Sequence, residues 1–164
     1  MPETVSSLLI DTNVWLDCFL PGRKNREASL ALMEKALDQG APLFYTAGIA
    51  KDVFYLVSAA MKRKAREQMG SLSEGDARAI QAVAWGCVVN MRDVATAVGA
   101  DESDLWLACE YRSVHGDLED NLLIAAVRRS SATYLVTNDQ TLLRHAPIAV
   151  LSSQDALRAL YSGK

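Results

Sequence analysis

The sequence predicts an α/β protein: a three-layer α/β/α sandwich on a central, mostly parallel sheet of four to five strands. Short aliphatic runs such as Leu8-Leu9-Ile10 and Tyr134-Leu135-Val136 are too brief for helices and are cut off by polar residues, as buried strands are. Longer stretches with apolar residues at helical spacing lie between them. The two kinds alternate along the chain, and such alternation closes into a parallel sheet with helices on both faces.

The elements follow in order. The first strand ends at Asp11, and Val14, Trp15, Leu16, Phe19 and Leu20 then cluster in a helical turn or two stopped by Pro21-Gly22. Ala28, Leu32, Ala36 and Leu37 mark an amphipathic helix from about Asn25 to Gln39, with Gly40 as its stop. Pro42 to Thr46 reads as a strand, and Val53, Leu56, Val57, Ala60 and Met61 carry a long helix to Gln68. After a polar break come a helix from about Glu74 to Arg92, a weaker strand over Val94 to Val98, and a helix over Asp101 to Arg112. His115 to Asp120 opens a further helix, Thr133 to Thr137 is a strand running into Asn138-Asp139, and Ile148 to Leu151 is the last strand. Ser153 is the expected N-cap of a C-terminal helix reaching Tyr161. Trp15, Trp85 and Trp106 sit in apolar helical patterns and are expected in the core or at a dimer contact.

At 164 residues the chain is expected to form one domain spanning 1–164. Half of it is hydrophobic and the formal net charge is only -3, which argues against disorder and against coating nucleic acid by bulk charge. Cys18, Cys87 and Cys109 lack CxxC spacing, so buried free thiols in a reducing cytoplasm are expected rather than disulfides or a zinc site. Met1 to Ser7 lacks a signal peptide's basic start and apolar run, and no apolar stretch approaches the about 20 residues of a membrane helix. A cytoplasmic protein with no membrane partner is expected.

Acids recur where strands end. Asp11 and Asp139 each follow an aliphatic strand, so both belong at the carboxyl edge of a parallel sheet, where ligands bind. Asp117 and Asp120 share one face of a helix's first turn, with Glu119 pointing elsewhere, and Asp52 follows the second strand on the same edge. Each has an ordinary structural use alone: Asp11 or Asp117 as a helix cap, Asp139 as a turn residue, Asp52 as a solvated helix acid. Gathered in one crevice they repel, and stay ionised only with cations between them. Hard oxygen donors without Cys or His pairs favour Mg2+ or Mn2+ over zinc. Such a site suits phosphodiester hydrolysis, one ion lowering the pKa of a water and a second, about 4 Å away, stabilising the leaving oxygen.

Leu9-Ile10-Asp11-Thr12-Asn13-Val14, the acid after the second strand, Glu119 to Ala126, and Tyr134 to Asp139 together resemble the successive motifs of a PIN domain. The resemblance runs from Leu8 to about Leu151, and it extends to VapC-like toxins, metal-dependent ribonucleases paired with an antitoxin. It implies that Asp11, Asp120 and Asp139 bind metal, with Asp117 as the rival to Asp120, and that Asp52 stands where the family more usually has Glu, completing the catalytic acids. It also implies an RNA substrate, an antitoxin protein and a homodimer. Thr12, Asn13, Thr137 and Asn138 are candidates to support those acids or touch phosphate. Lys62, Arg63, Lys64 and Arg66 form the densest basic run and are the candidate RNA contacts, with Arg23, Arg26, Arg128 and Arg129 as lesser ones. His115 and His145 are expected at the surface or in loops, outside any motif.

Two other functions compete. A haloacid-dehalogenase-like phosphatase would use Asp11 as nucleophile but needs a second acid where this chain has Asn13. A PIN-like module that binds RNA or protein without cutting shares every motif above.

Overall fold

The computed structural model describes residues 6–162; residues 1–5 and 163–164, and with them most of the segment read above for a signal peptide, lie outside the described residues. The strands are β1 (Leu8–Ile10), β2 (Leu43–Thr46), β3 (Thr96–Val98), β4 (Tyr134–Val136) and β5 (Val150–Leu151). The α-helices are α1 (Thr12–Phe19), α2 (Arg26–Asp38), α3 (Ala47–Met69), α4 (Glu74–Val94), α5 (Glu102–Glu110), α6 (Leu118–Arg129), α7 (Gln140–His145) and α8 (Ser153–Ser162). All strand pairs are parallel, in the order β3-β2-β1-β4-β5, and helices on both faces complete three layers.

β1 is the centre of the sheet because it is the strand with no polar face: Leu8, Leu9 and Ile10 are all buried. Leu9 lies opposite Phe44 on one side and Leu135 on the other. β1 and β4 therefore end side by side, and the Asp11 N–H bonds the Val136 carbonyl at 3.0 Å. Burying the three β1 side chains supplies roughly 2 kcal/mol each, so this register is strongly held.

Local signals set the helix limits. Ser73 and Asp76 form a reciprocal capping box at the start of α4, and Gly70 ends α3 at φ +74°, a left-handed conformation costly for any residue with a Cβ. The helices come in packed pairs, α3 with α4, α5 with α6 and α2 with α8.

Several expectations are corrected. α7 was not foreseen: it is six residues long with one buried apolar side chain, Leu142, too little for a periodic signal. The cap of α8 is Ser152, whose Oγ accepts from the Asp155 N–H at 3.1 Å, while Ser153 is buried and bonded elsewhere. The helix ending at Arg112 closes instead as a 3-10 turn over Tyr111–Ser113. Trp15 is fully buried and donates to the Ile10 carbonyl, but Trp85 and Trp106 are more than half exposed. The buried stripe of α4 is Ile80, Ala84, Cys87 and Met91, and that of α5 is Asp104 and Ala108, so both indoles turn outward. Of the thiols Cys87 is buried, Cys18 half-buried and Cys109 exposed. No described helix is long and apolar enough to cross a membrane.

Candidate metal centre

Asp11 stands where β1 gives way to α1, and only 8% of it is exposed. Its Oδ1 accepts from the Thr12 N–H at 2.6 Å, and its Oδ2 accepts from the Thr137 hydroxyl and the Asn13 amide, each at 2.7 Å. Thr137, fully buried at the end of β4, is the hub: its Oγ1 also accepts from the Asn13 amide at 2.9 Å and the Asp139 N–H at 3.0 Å. Strand register places the two motifs together, and the small side chains of the loops lock them.

Burial pushes the Asp11 carboxyl above its ordinary range; the Thr137 and Thr12 bonds pull it back, and the charges of Asp120 and Asp139 push it up again. Asp120 and Asp139, predicted from separate motifs, thus both act on Asp11 across more than a hundred residues of chain. Asp139 uses its Oδ1 to cap α7, accepting from Thr141 and Leu142 at 2.7 and 3.1 Å. Its capping role and its closeness to Asp11 coexist, since one oxygen suffices for the cap.

α6 brings the remaining acids. Asp117 is its N-cap, accepting at Oδ1 from the Glu119 and Asp120 N–H groups, so the helix-cap use weighed for it is the one it has. Asp120, one turn in, has its Oδ2 2.6 Å from Nε2 of His115, whose side chain is 10% exposed. His115 lies in the loop before α6, one of the two placements expected for it, but its ring reaches the acidic site, which the sequence did not suggest. Glu119 points away from Asp120, as expected, and meets Asp52; the hydrogen bond to Asp52, then burial, then the Asp52 charge raise its carboxyl to about 7. Asp52 is bridged by Lys51 at 3.1 Å. The acids thus fall into two sets joined by the first turn of α6: Asp11, Asp120 and Asp139, and the pair Asp52 and Glu119.

Of the supporting residues, Thr12, Asn13 and Thr137 touch Asp11, whereas Asn138 divides its groups. Its backbone N–H donates to Asn13 Oδ1 at 2.9 Å, but its side-chain amide donates away from the acids, to Asp17 Oδ2 and Ser153 Oγ, both at 2.9 Å. Asp17, 2% exposed, is paired with Arg23 at 2.6 Å. That buried ion pair gave no signal in the sequence beyond its place among the apolar residues of α1.

The basic residues are largely committed elsewhere. Arg23 holds Asp17, Arg26 donates to the carbonyls of Asp17 and Leu20, and Arg129 bridges Asp101 and Asp104 while donating to the Gly99 carbonyl. Lys62, Arg63, Lys64 and Arg66 lie in the second half of α3, with Arg66 about 21 Å along the axis from Asp52 at 1.5 Å per residue. They are not gathered at the acids.

The donor chemistry suits a hard divalent cation: several carboxylate oxygens, mutual repulsion, and no soft ligand. Among the described residues, however, no three His, Cys, Asp or Glu side chains stand ready to hold a metal ion, so a cation would require the acids to close on it, with the His115 contact engaging only Oδ2 of Asp120.

Fold and site together define a class, a parallel α/β domain with clustered carboxylates where its two central strands end. The PIN domain family matches residues 7–141, and the chain belongs to that family. A chain from the crystal structure of VapBC2 from Rickettsia felis bound to a DNA fragment from the promoter has a TM-score of 0.57 and 13% identity, covering 88% of this chain and 97% of that one. At that identity the likeness is one of fold. No curated protein sequence matches.

Proposed function

We propose that this chain is a divalent-metal-dependent endoribonuclease of the VapC-like kind, hydrolysing RNA phosphodiester bonds in the cytoplasm as the toxin of a toxin-antitoxin pair. The observation that carries this reading is the convergence on Asp11 of the charges of Asp120 and Asp139. In this reading Asp11, Asp120 and Asp139 hold the metal, Mg2+ or Mn2+, with Asp117 beside them and Asp52 as the fourth catalytic acid. A bound divalent cation supplies a charge that acidifies water and stabilises a leaving oxygen. The chain's own contribution is aim. Thr137 and Asn13 fix the Asp11 carboxylate, and the Thr137 bond to the Asp139 N–H sets the start of the cap that holds Asp139.

An antitoxin and a second copy of the chain are the partners of this reading. Its support is exposed apolar surface: Tyr55 and Leu56 on α3, Val83 and Trp85 on α4, and Leu105 and Trp106 on α5 are each more than two-fifths exposed.

The test is cleavage of a broad RNA panel by the purified chain with Mg2+ or Mn2+ and with chelator. Cleavage is expected only with metal, and Asp11→Asn is expected to lower it on the order of 10²-fold or more while leaving the melting temperature undiminished. Cleavage that survives Asp11→Asn or chelation overturns the proposed chemistry. A second reading, a PIN-like module that binds without cutting, is favoured by the His115 bond that occupies Asp120; metal binding by a folded chain that cleaves no RNA would select it.

A further inference from the structure

Beside the acids, between α2 and α8, lies an open cavity of about 580 Å³, within the range of small-ligand sites. Its rim includes Asn138 and Gln140, which flank Asp139 in the chain. Ala28 and Ala31 of α2 and Leu157 of α8 give it an apolar wall, and Lys24, Asn25 and Gln154 bring a cation and two amides. Asn25 occupies the N-cap position of α2 without capping it, so its amide is not spent on the helix. Glu27, also on the rim, adds an acceptor.

The floor is rigid. Asn138, Ser29, Ser153 and Asp17 form a buried hydrogen-bonded set beneath the cavity, with Ser29 and Ser153 hydroxyls 2.9 Å apart and the Asn138 amide 2.9 Å from both Asp17 and Ser153. Through its backbone the same Asn138 is tied to Asn13 and so to Asp11.

We propose that this cavity receives one nucleotide of the RNA strand next to the bond that is cut. This rests on the ribonuclease reading. The chemistry matches a nucleotide in each part: a flat heteroaromatic face against Ala28, Ala31 and Leu157, base-edge donors and acceptors facing the amides and Glu27, and a phosphate within reach of Lys24. Recognition of base edges by side-chain amides is bidentate in kind and discriminates among bases, so the cavity sets sequence preference, while the acids act on the backbone alone.

The experiment uses the Asp11→Asn chain, which binds without cutting, labelled for amide NMR and titrated without metal with each of the four nucleoside 5′-monophosphates. Shifts are expected at Asn25, Ala28, Ala31 and Gln154, with unequal affinity among the four bases. Ala31→Trp, which fills the wall, is expected to weaken the best binder about tenfold or more, a loss of about 1.4 kcal/mol. Should Ala31→Trp not fold, Lys24→Glu is the substitute, with the same weakening expected. Shifts that are absent, that fall elsewhere, or that are unchanged in a folded variant overturn the proposal. Cleavage by the unaltered chain is assayed alongside. Cleavage without nucleotide binding in the cavity defeats the cavity alone; binding there without cleavage defeats the ribonuclease reading and leaves a nucleotide site.

Discussion

Two groups of carboxylates on this chain meet opposite electrostatic surroundings. Asp101 and Asp104 face Arg129, whose guanidinium reaches them at 2.7 and 2.8 Å, and the Asp101 carboxyl is held below its ordinary value by bonds from Ser103 first and by Arg129 further down. Asp11 has Asp120 and Asp139 near it instead of a cation, and burial first and those two charges after it push its carboxyl up. The first group binds α5 to α6 and is complete in itself. The second is costly as built, because like charges have been brought together near a buried position without an Arg or Lys between them. An arrangement that repels in the free chain gains its countercharge from outside, which is why the second group and not the first is read as a metal centre.

The contrast breaks or sharpens under four measurements. Divalent metal at about a hundred times its dissociation constant should stabilise the chain by about 2.7 kcal/mol, read as a rise in melting temperature that is lost in Asp11→Asn; equal stabilisation of that variant would place the ion elsewhere. Asp104→Ala leaves Arg129 without its buried partner and should cost about 2 kcal/mol in urea unfolding, with no change in the metal response. Thr137→Val removes the hydroxyl from Asp11 Oδ2 and should weaken metal binding about tenfold by calorimetry. The smallest effect belongs to Glu119. Its folded value of about 7 lies above the ordinary 4.5, so the folded chain binds this proton more tightly. The stability it contributes is complete below pH 4.5 and is lost as pH rises to about 7. Glu119→Gln should therefore gain in melting temperature on the parent over that interval and keep its lead above it; a lead that does not grow with pH would deny the Asp52 contact.

Sequence reading reached the acids that end strands and missed what depends on packing. Asp11 and Asp139 were legible because they recur together at strand ends, each having an ordinary structural use alone, and parallel register puts those ends side by side. His115 was not, since its meeting with Asp120 depends on the path of the 3-10 turn and the Gly116-Asp117 link that follow α5. Glu119 was turned away from Asp120 correctly, but its partner was not legible, because a helical wheel describes one helix and Asp52 sits on α3. Trp85 and Trp106 show the same limit from the other side: read as core or dimer contacts, they are not in the core, because Ile80, Ala84, Cys87 and Met91 on α4 and Asp104 and Ala108 on α5 fill the packed stripes. The basic run of α3 was visible but its distance from the acids was not, since position along a long helix becomes reach only when the other end is known.

Thr137, Asn138 and Asp139 leave no slack between β4 and α7. The first ties down Asp11, the second joins Asn13 to the Asp17 pair, and the third caps the following helix. Insertion or deletion of a residue here would throw all three out of phase at once, whereas added turns in α2, α3 or α8 would leave these bonds untouched.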